Sequence, residues 1–373
     1  MEIQKFMEVL NAKFCTGVPD SQLKALCNYL IEQYGISKEH IIAANEGNCT
    51  ALAAGYYLAT GKVPLVYLQN SGIGNIINPV VSMLNENIYG IPCIFVIGWR
   101  GEPGTHDEPQ HTFQGAITEQ LLRDIGLYII KLNNKISLEQ LSMELEKSRV
   151  LLKKGKSVAF LVSKDFFVYS SKGGYSNKYT IIREKAIEMI LNISGEDVIV
   201  STTGKASREL YELRERRGDS HKYDFLTIGS MGHSSSIALG IALHKPATKI
   251  WCIDGDGALL MHMGAMALIG SRHPDNMVHI VMNNEAHESV GGMPTVTAEM
   301  NLSQIAKGCG YRYIACAKTY DELERQLCFV KTQKELSFIE IKCSVSSRAN
   351  LGRPIHTAMQ NRNEFMQYLH ERG

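Results

Sequence analysis

The sequence predicts an α/β protein made of two doubly wound parallel-sheet domains. Three observations carry this. Short β-branched and aromatic runs alternate with helix-length segments along all 373 residues. A polar, glycine-containing stretch, YSSKGGYSNKYT at 169–180, interrupts that rhythm, which then restarts. Several expected strand ends carry glycine beside a polar residue, the edge where open parallel sheets bind ligands.

The elements follow in order. MEIQKFMEVLNAKF reads as an amphipathic helix and lacks the uninterrupted apolar core of a signal peptide. A helix is expected near 20–34, then a short strand running into Glu46 and a helix near 47–60 closed by Gly61. Strands near 63–69, 92–98, 128–132 and 157–163 alternate with helices near 75–88, 112–125 and 137–153. These make a first domain over 1–170, followed by a linker over 171–180 and a second domain over 181–373. The second half opens with a helix near 181–193. Its strands fall near 198–202, 224–228, 249–253, 278–283, 312–316 and 337–343.

Bulk properties exclude some functions. Apolar content of 45% suits a soluble globular protein. A net charge of +1 gives no electrostatic reason to bind nucleic acid or a membrane surface. No apolar run approaches the ~20 residues of a membrane span. The nine cysteines are odd in number and form no C-x-x-C pair, so they read as reduced residues of a cytoplasmic protein. No zinc-site spacing is present.

Four strand ends of the second half carry the strongest signal. They are Thr203-Gly204-Lys205, Gly229-Ser230-Met231-Gly232, Asp254-Gly255-Asp256-Gly257 and Asn283-Asn284. One helix and one strand fit between Asp256 and Asn284, which is a single crossover. Both residues then leave neighbouring or near-neighbouring strands at the same edge. A carboxylate and an amide oxygen are hard ligands that suit Mg²⁺ beside a diphosphate. Asp-Gly and Asn-Asn are also common turn pairs. Their coincidence on successive strand ends favours a cofactor site.

Gly-Asp-Gly, then a crossover, then Asn-Asn resembles the diphosphate and Mg²⁺ motif of thiamine-diphosphate enzymes. The resemblance implies that Asp256, Asn284 and the Ala286 carbonyl hold Mg²⁺. It implies that Gly204, Gly229, Ser230, Gly255, Gly257 and Ala258 approach the cofactor, with Met231 as the prop that bends it. Ala258 stands where the family often has Ser, so a backbone N–H must serve there. The family's single catalytic Glu falls on Glu46, at a strand-to-helix junction. An isolated Glu there would otherwise be read as a helix-start carboxylate. In that role Glu46 hydrogen-bonds the aminopyrimidine, so that the thiazolium carbon is deprotonated to the ylide that attacks the keto carbon. The implied architecture is the thiamine-diphosphate-binding fold with no middle domain. In this family Glu46 of one subunit meets diphosphate held by another, so a homodimer or higher homo-oligomer with interfacial active sites is expected.

Asn70-Ser71-Gly72-Ile73-Gly74-Asn75 is a near-miss of a dinucleotide fingerprint without its third glycine. The loop Gly98-Trp99-Arg100-Gly101-Glu102-Pro103-Gly104-Thr105-His106-Asp107-Glu108-Pro109-Gln110-His111 is more telling. With Gly17-Val18-Pro19-Asp20-Ser21, the stretch 283–292 and Leu351-Gly352-Arg353-Pro354, it resembles the phosphonopyruvate decarboxylase branch of the family. Sulfopyruvate decarboxylases are the near relation. The implied substrate is a small anionic 2-oxo acid, 3-phosphonopyruvate, giving phosphonoacetaldehyde and CO₂ in phosphonate biosynthesis. Expected substrate contacts are Asp20, Ser21, Arg100, His287, Arg348 and Arg353, since arginine forks suit oxyanions. Asp20 and Ser21 are equally well read as a helix cap. His106 or His111 is the expected proton donor. Two departures stand out: Val290 where some pyruvate-type decarboxylases carry a second Glu, and Met293 where Gln is expected. The alternatives are sulfopyruvate decarboxylation and a catalytically inert thiamine-diphosphate-binding protein.

Overall fold

The structure is a computed structural model and describes residues 1–170, 175–290 and 292–372. Residues 171–174 of the expected linker lie outside the described residues. The chain falls into two compact units, Met1–Gly174 and Tyr175–Gly373.

The first unit holds strands β1 (Cys15–Gly17), β2 (His40–Ile42), β3 (Leu65–Gln69), β4 (Ile94–Gly98), β5 (Tyr128–Leu132) and β6 (Val158–Val162). They form one parallel sheet in the order β2-β1-β3-β4-β6-β5. The second unit holds β7 (Val198–Ser201), β8 (Asp224–Leu226), β9 (Ile250–Gly255) and β10 (Met277–Asn283). A short hairpin, β11 (Ala286–His287) and β12 (Met293–Pro294), precedes β13 (Tyr313–Ala317) and β14 (Ser337–Lys342). The other six strands of this unit form a second parallel sheet, ordered β13-β14-β10-β9-β7-β8. The two doubly wound sheets expected from the alternating pattern are therefore both present.

Burial on both faces explains why these strands read as continuous apolar runs. Along β9, Trp251 and Ile253 join one buried cluster while Ile250 and Cys252 join the other. Along β10, Val278 and Ile280 face the first cluster, and Met277 and Val281 face the second.

Local differences from the sequence reading have local causes. Strand β1, Cys15–Gly17, forms no run of apolar β-branched or aromatic side chains, so the sequence does not mark it. The helix expected near 75–88 runs over Ile73–Pro79 and continues as a π-helical stretch, Val80–Leu84. Pro79 offers no N–H at that point, so the hydrogen-bond register changes. The crossover after β9 contains two short helices, Asp256–Met261 and Gly264–Arg272, rather than one. It still delivers β10 directly beside β9. All nine cysteines are unpaired; six are buried and Cys328 is exposed. Among the described residues no helix is long and apolar enough to cross a membrane.

Candidate active site

The second unit gathers its glycine-bearing strand ends at one edge of the sheet. Asp256 begins the turn of helix after β9, and Asn284 follows β10 immediately. Asp256 is buried, and its Oδ2 accepts from the Thr295 hydroxyl at 2.6 Å and the Thr297 hydroxyl at 3.0 Å. The β11–β12 hairpin folds the chain back so that both threonines reach it. Burial pushes the Asp256 carboxyl up to about 6, although these hydroxyls and the backbone N–H groups of Gly257 and Asp256 pull it down. No protein cation is among the groups that offset this burial.

Asn283 holds the loop, and Asn284 faces into it. Asn283 Oδ1 receives the Glu285 N–H at 3.1 Å, while its amide donates to Glu340 at 2.7 Å. Glu285 sits at φ 59, a left-handed turn that reverses the chain between Asn284 and Ala286. Asn284 Nδ2 donates to Glu288 Oε2 at 3.1 Å. Glu288 is itself held by Arg183 at 2.5 Å and Lys205 at 2.9 Å. This chain of contacts fixes which way the Asn284 amide turns, as outer partners of metal ligands do. The Asp256 carboxylate, the Asn284 amide oxygen and the Ala286 carbonyl are all hard oxygens, the donor set a magnesium ion accepts.

Glycine makes room beside these oxygens. A Cβ on Gly257 would stand 3.0 Å from the His287 ring and 3.4 Å from the Met231 methyl. A Cβ on Gly232, at φ 90, would press on the Ala258 carbonyl at 2.9 Å. Met231, Gly257, Ala258 and His287 therefore meet in one place. His287 is buried, which lowers it to about 4 and keeps its ring neutral. Gly204 caps the helix Lys205–Arg217 at φ 94, a conformation that suits glycine. Ser230 also takes a positive φ, 50, in the Gly229–Gly232 turn. A carboxylate without a cationic partner, a hard-oxygen donor set and a backbone cradle fit a diphosphate carrying a divalent ion.

In the first unit Glu46 opens the helix Glu46–Thr60 and is 4% exposed. The capping work belongs to Asn45, whose side chain accepts from the Asn48 N–H at 2.9 Å. The Glu46 carboxyl is thus not needed to start the helix. Burial raises its pKa, and a hydrogen bond from Asn75 Nδ2 to Oε2 at 2.7 Å lowers it. A Cβ on Gly72 would overlap the Glu46 carboxyl, so that position has room only for glycine. The near-miss glycine motif is accounted for here: Gly72 and Asn75 pack against and hold Glu46.

The same unit brings Asp20, Ser21, Arg100, Asp107 and His111 together. Arg100 is bidentate to Asp107, at 2.8 Å from Nε and 2.5 Å from Nη2, and Nη1 donates to Ser21 at 3.2 Å. Among the described residues these contacts use three of its five N–H groups. The Arg100 hydrogen bonds hold Asp107 down at about 2. His111 is half-buried; desolvation and Arg100 lower its pKa while Asp107 raises it. His106 is exposed on the loop. Asp20 is fully buried beside Gly98, where any Cβ would overlap its carboxyl. Neither Asp20 oxygen reaches hydrogen-bond geometry among the described residues, although the Arg100 charge and then the N–H groups of Gln22, Ser21 and Leu23 offset some of the burial. Desolvation raises Asp20 to about 6.

This makes a testable statement about Asp20. Its folded pKa of about 6 lies above the ordinary 3.8, so its stability penalty is absent below about pH 4 and complete above about pH 6. The penalty amounts to about 3 kcal/mol at most. Asp20→Asn should raise the urea midpoint at pH 7.5 and leave it unchanged at pH 4. Equal midpoints at both pH values would show that Asp20 carries no buried charge.

The remaining expected residues follow β14, where Ser347 accepts from Lys205 at 2.7 Å. Arg348 is engaged by Glu184 and Glu212. Arg353 is exposed in the segment before the last helix. The sequence alone gives no role to Thr295 or Thr297; it shows Asn75 in the glycine motif, Lys205 at a strand end and Glu288 in the 283–292 stretch without saying what each one holds.

Two family models match the chain. The C-terminal TPP binding domain of thiamine pyrophosphate enzymes covers residues 202–341, and the N-terminal TPP binding domain covers residues 3–122. The chain is 32% identical to phosphonopyruvate decarboxylase of Streptomyces viridochromogenes, over 95% of this chain and 90% of that one. It is 28% identical to sulfopyruvate decarboxylase of Methanosarcina acetivorans, over 91% of this chain and 90% of that one. The beta subunit of sulfopyruvate decarboxylase from Methanocaldococcus jannaschii is 35% identical over 46% of this chain and 89% of that one.

Proposed function

The chain belongs to the thiamine pyrophosphate enzyme family, among its decarboxylases, and from that premise we propose that it converts 3-phosphonopyruvate to phosphonoacetaldehyde and CO₂. The observation that carries the substrate choice is the end-to-end match to a phosphonopyruvate decarboxylase, 32% identical over 95% of the chain. The sulfopyruvate decarboxylase that matches over a similar span does so at 28%.

Thiamine diphosphate, when bound, supplies the electron sink that accepts the pair left as CO₂ departs. Asp256, Asn284 and the Ala286 carbonyl would hold its Mg²⁺. Gly204, Gly229, Ser230, Gly255, Gly257 and Ala258 would leave space for its backbone approach, with Met231 beneath. Burial raises the Glu46 pKa by disfavouring the anion, against the pull of the Asn75 hydrogen bond. The carbon that loses CO₂ must gain a proton. Asp20, raised to about 6 by burial, would be the carboxyl placed to give one, and His111, whose pKa burial lowers, would be the second candidate. His106 stands on the same loop. Arg100, Ser21 and His287 would meet the anionic ends of the substrate. Arg348, already paired with Glu184 and Glu212, and Arg353 would be further anion contacts. We place the protein as a cytoplasmic homodimer or larger homo-oligomer acting in phosphonate biosynthesis. Its nine unpaired cysteines support a reducing compartment, and a relative that functions as one subunit of an assembly supports oligomerisation.

The test is CO₂ release from 3-phosphonopyruvate, 3-sulfopyruvate and pyruvate, each with and without thiamine diphosphate and Mg²⁺. Turnover of phosphonopyruvate that depends on both additions is expected. Preference for sulfopyruvate would move the assignment to that acid, and turnover of none with cofactor bound would mark an inert binder.

A further inference from the structure

We infer that the second unit carries a site for a divalent ion of the zinc class, held by His221, His356 and Glu215, which shares no residue with the Asp256 group. One ligand atom from each of the three lies within 4.8 Å of the others. They come from separate elements: Glu215 from the last turn of the helix Lys205–Arg217, His221 from the 3₁₀ turn His221–Tyr223, and His356 from the segment entering the helix Ala358–Glu371. No sequence spacing announces such a set, because 135 residues separate the two histidines in the chain.

The surroundings prepare both rings for a cation. His221 is 7% exposed, with one nitrogen on Glu215 at 2.5 Å and the other, Nδ1, buried without a hydrogen-bond partner. The Nε2 that faces Glu215 is the ring nitrogen that can share an ion with that carboxylate. His356 uses Nδ1 for the Tyr211 hydroxyl at 2.9 Å, which leaves Nε2 for a metal. A second-ring-nitrogen partner of this kind is what fixes the orientation of metal-bound histidines. The Tyr211 ring also stacks on His221, centroids 4.2 Å apart and planes 10° from parallel. Two histidines and a carboxylate are a zinc-type donor set that leaves a fourth position for water. Beside them opens a cleft of about 360 Å³ walled in part by Glu364 and Glu371. These carboxylates add negative potential, and Lys222 on the same wall opposes it. Filled, the site ties the chain entering the last helix to the end of the helix that begins at Lys205.

The experiment is a Zn²⁺ titration of the full chain, with thiamine diphosphate and excess Mg²⁺ present, read against a chromogenic chelator. One Zn²⁺ per chain is expected, weakened at least tenfold in His356→Ala and in Glu215→Gln and within twofold in Asp256→Ala. Glu215 is an exposed residue, so its variant tests the site even if His356→Ala folds poorly. The inference is overturned if the wild type takes up no Zn²⁺. It is equally overturned if uptake survives in Glu215→Gln and is lost in Asp256→Ala. Co²⁺ in place of Zn²⁺ should give the absorption of a four-coordinate ion in the wild type and not in either variant.

Discussion

Replacing Glu46 with Gln is expected to cut CO₂ release about a thousand-fold while cofactor affinity stays within a few-fold. Gln has the shape of Glu and fits the space against Gly72 that admits no extra atom. Its side-chain oxygen can still accept the Asn75 hydrogen bond, now 2.7 Å long. The substitution therefore keeps the packing and removes only the ionisable proton. A group that moves a proton in the reaction typically contributes 10²–10⁴-fold. Burial raises the Glu46 pKa, so its proton is held closer to working pH than that of an exposed carboxyl. Initial rates of CO₂ release, paired with calorimetric titration of thiamine diphosphate in Mg²⁺, separate the two effects. A Glu46→Gln enzyme with wild-type turnover would falsify the role. Glu46→Ala is a poorer probe, because it also empties a buried site.

The physical reason for that precision is not visible in the sequence. Glu46 stands alone between an apolar run and a helix of small residues, and on its own reads as a helix-start acid. Asn45 does the capping, which frees Glu46, but only the structure shows which of the two adjacent residues does so. Strands β7 to β10 of the second half were legible because their apolar-rich runs lead into turns that carry glycine or asparagine. Strand β1 was not, because its residues Cys15–Gly17 form no run of apolar β-branched or aromatic side chains, unlike the equally short β2 and β8. Asp256 and Asn284 were legible as a pair because one crossover separates them. Thr295 and Thr297 were not: they lie 39 and 41 residues beyond Asp256, and a hairpin brings them back. Likewise nothing in the sequence says that Glu184 and Glu212 occupy Arg348, or that Asp107 takes two of the five Arg100 N–H groups. Long-range pairing of charges depends on the closed fold, not on local composition.

Asp256→Ala is expected to weaken Mg²⁺ and thiamine diphosphate together, each by more than about 100-fold. Loss of an outer partner of a metal site alone costs about 10–100-fold, and here a direct oxygen donor is removed. The carboxyl is buried among neutral donors, with the Thr295 and Thr297 hydroxyls as its side-chain partners. A divalent ion would supply the charge that these donors do not. Without it the carboxylate is a burden: its pKa rises from 3.8 to about 6, which corresponds to a penalty of roughly 3 kcal/mol at pH 7. As for any acid raised on folding, that penalty vanishes below about pH 4 and is complete above about pH 6. Asp256→Asn should therefore leave the cofactor-free protein at least as stable to urea at pH 7.5 as the wild type, even as it loses the metal. Calorimetry of cofactor binding and urea unfolding of the free protein, run on the same variants, distinguish a lost ligand from a damaged fold. Unchanged cofactor affinity in Asp256→Ala would reduce Gly255-Asp256-Gly257 to a turn. Lost affinity with a lower urea midpoint in Asp256→Asn would assign the effect to packing rather than to the metal.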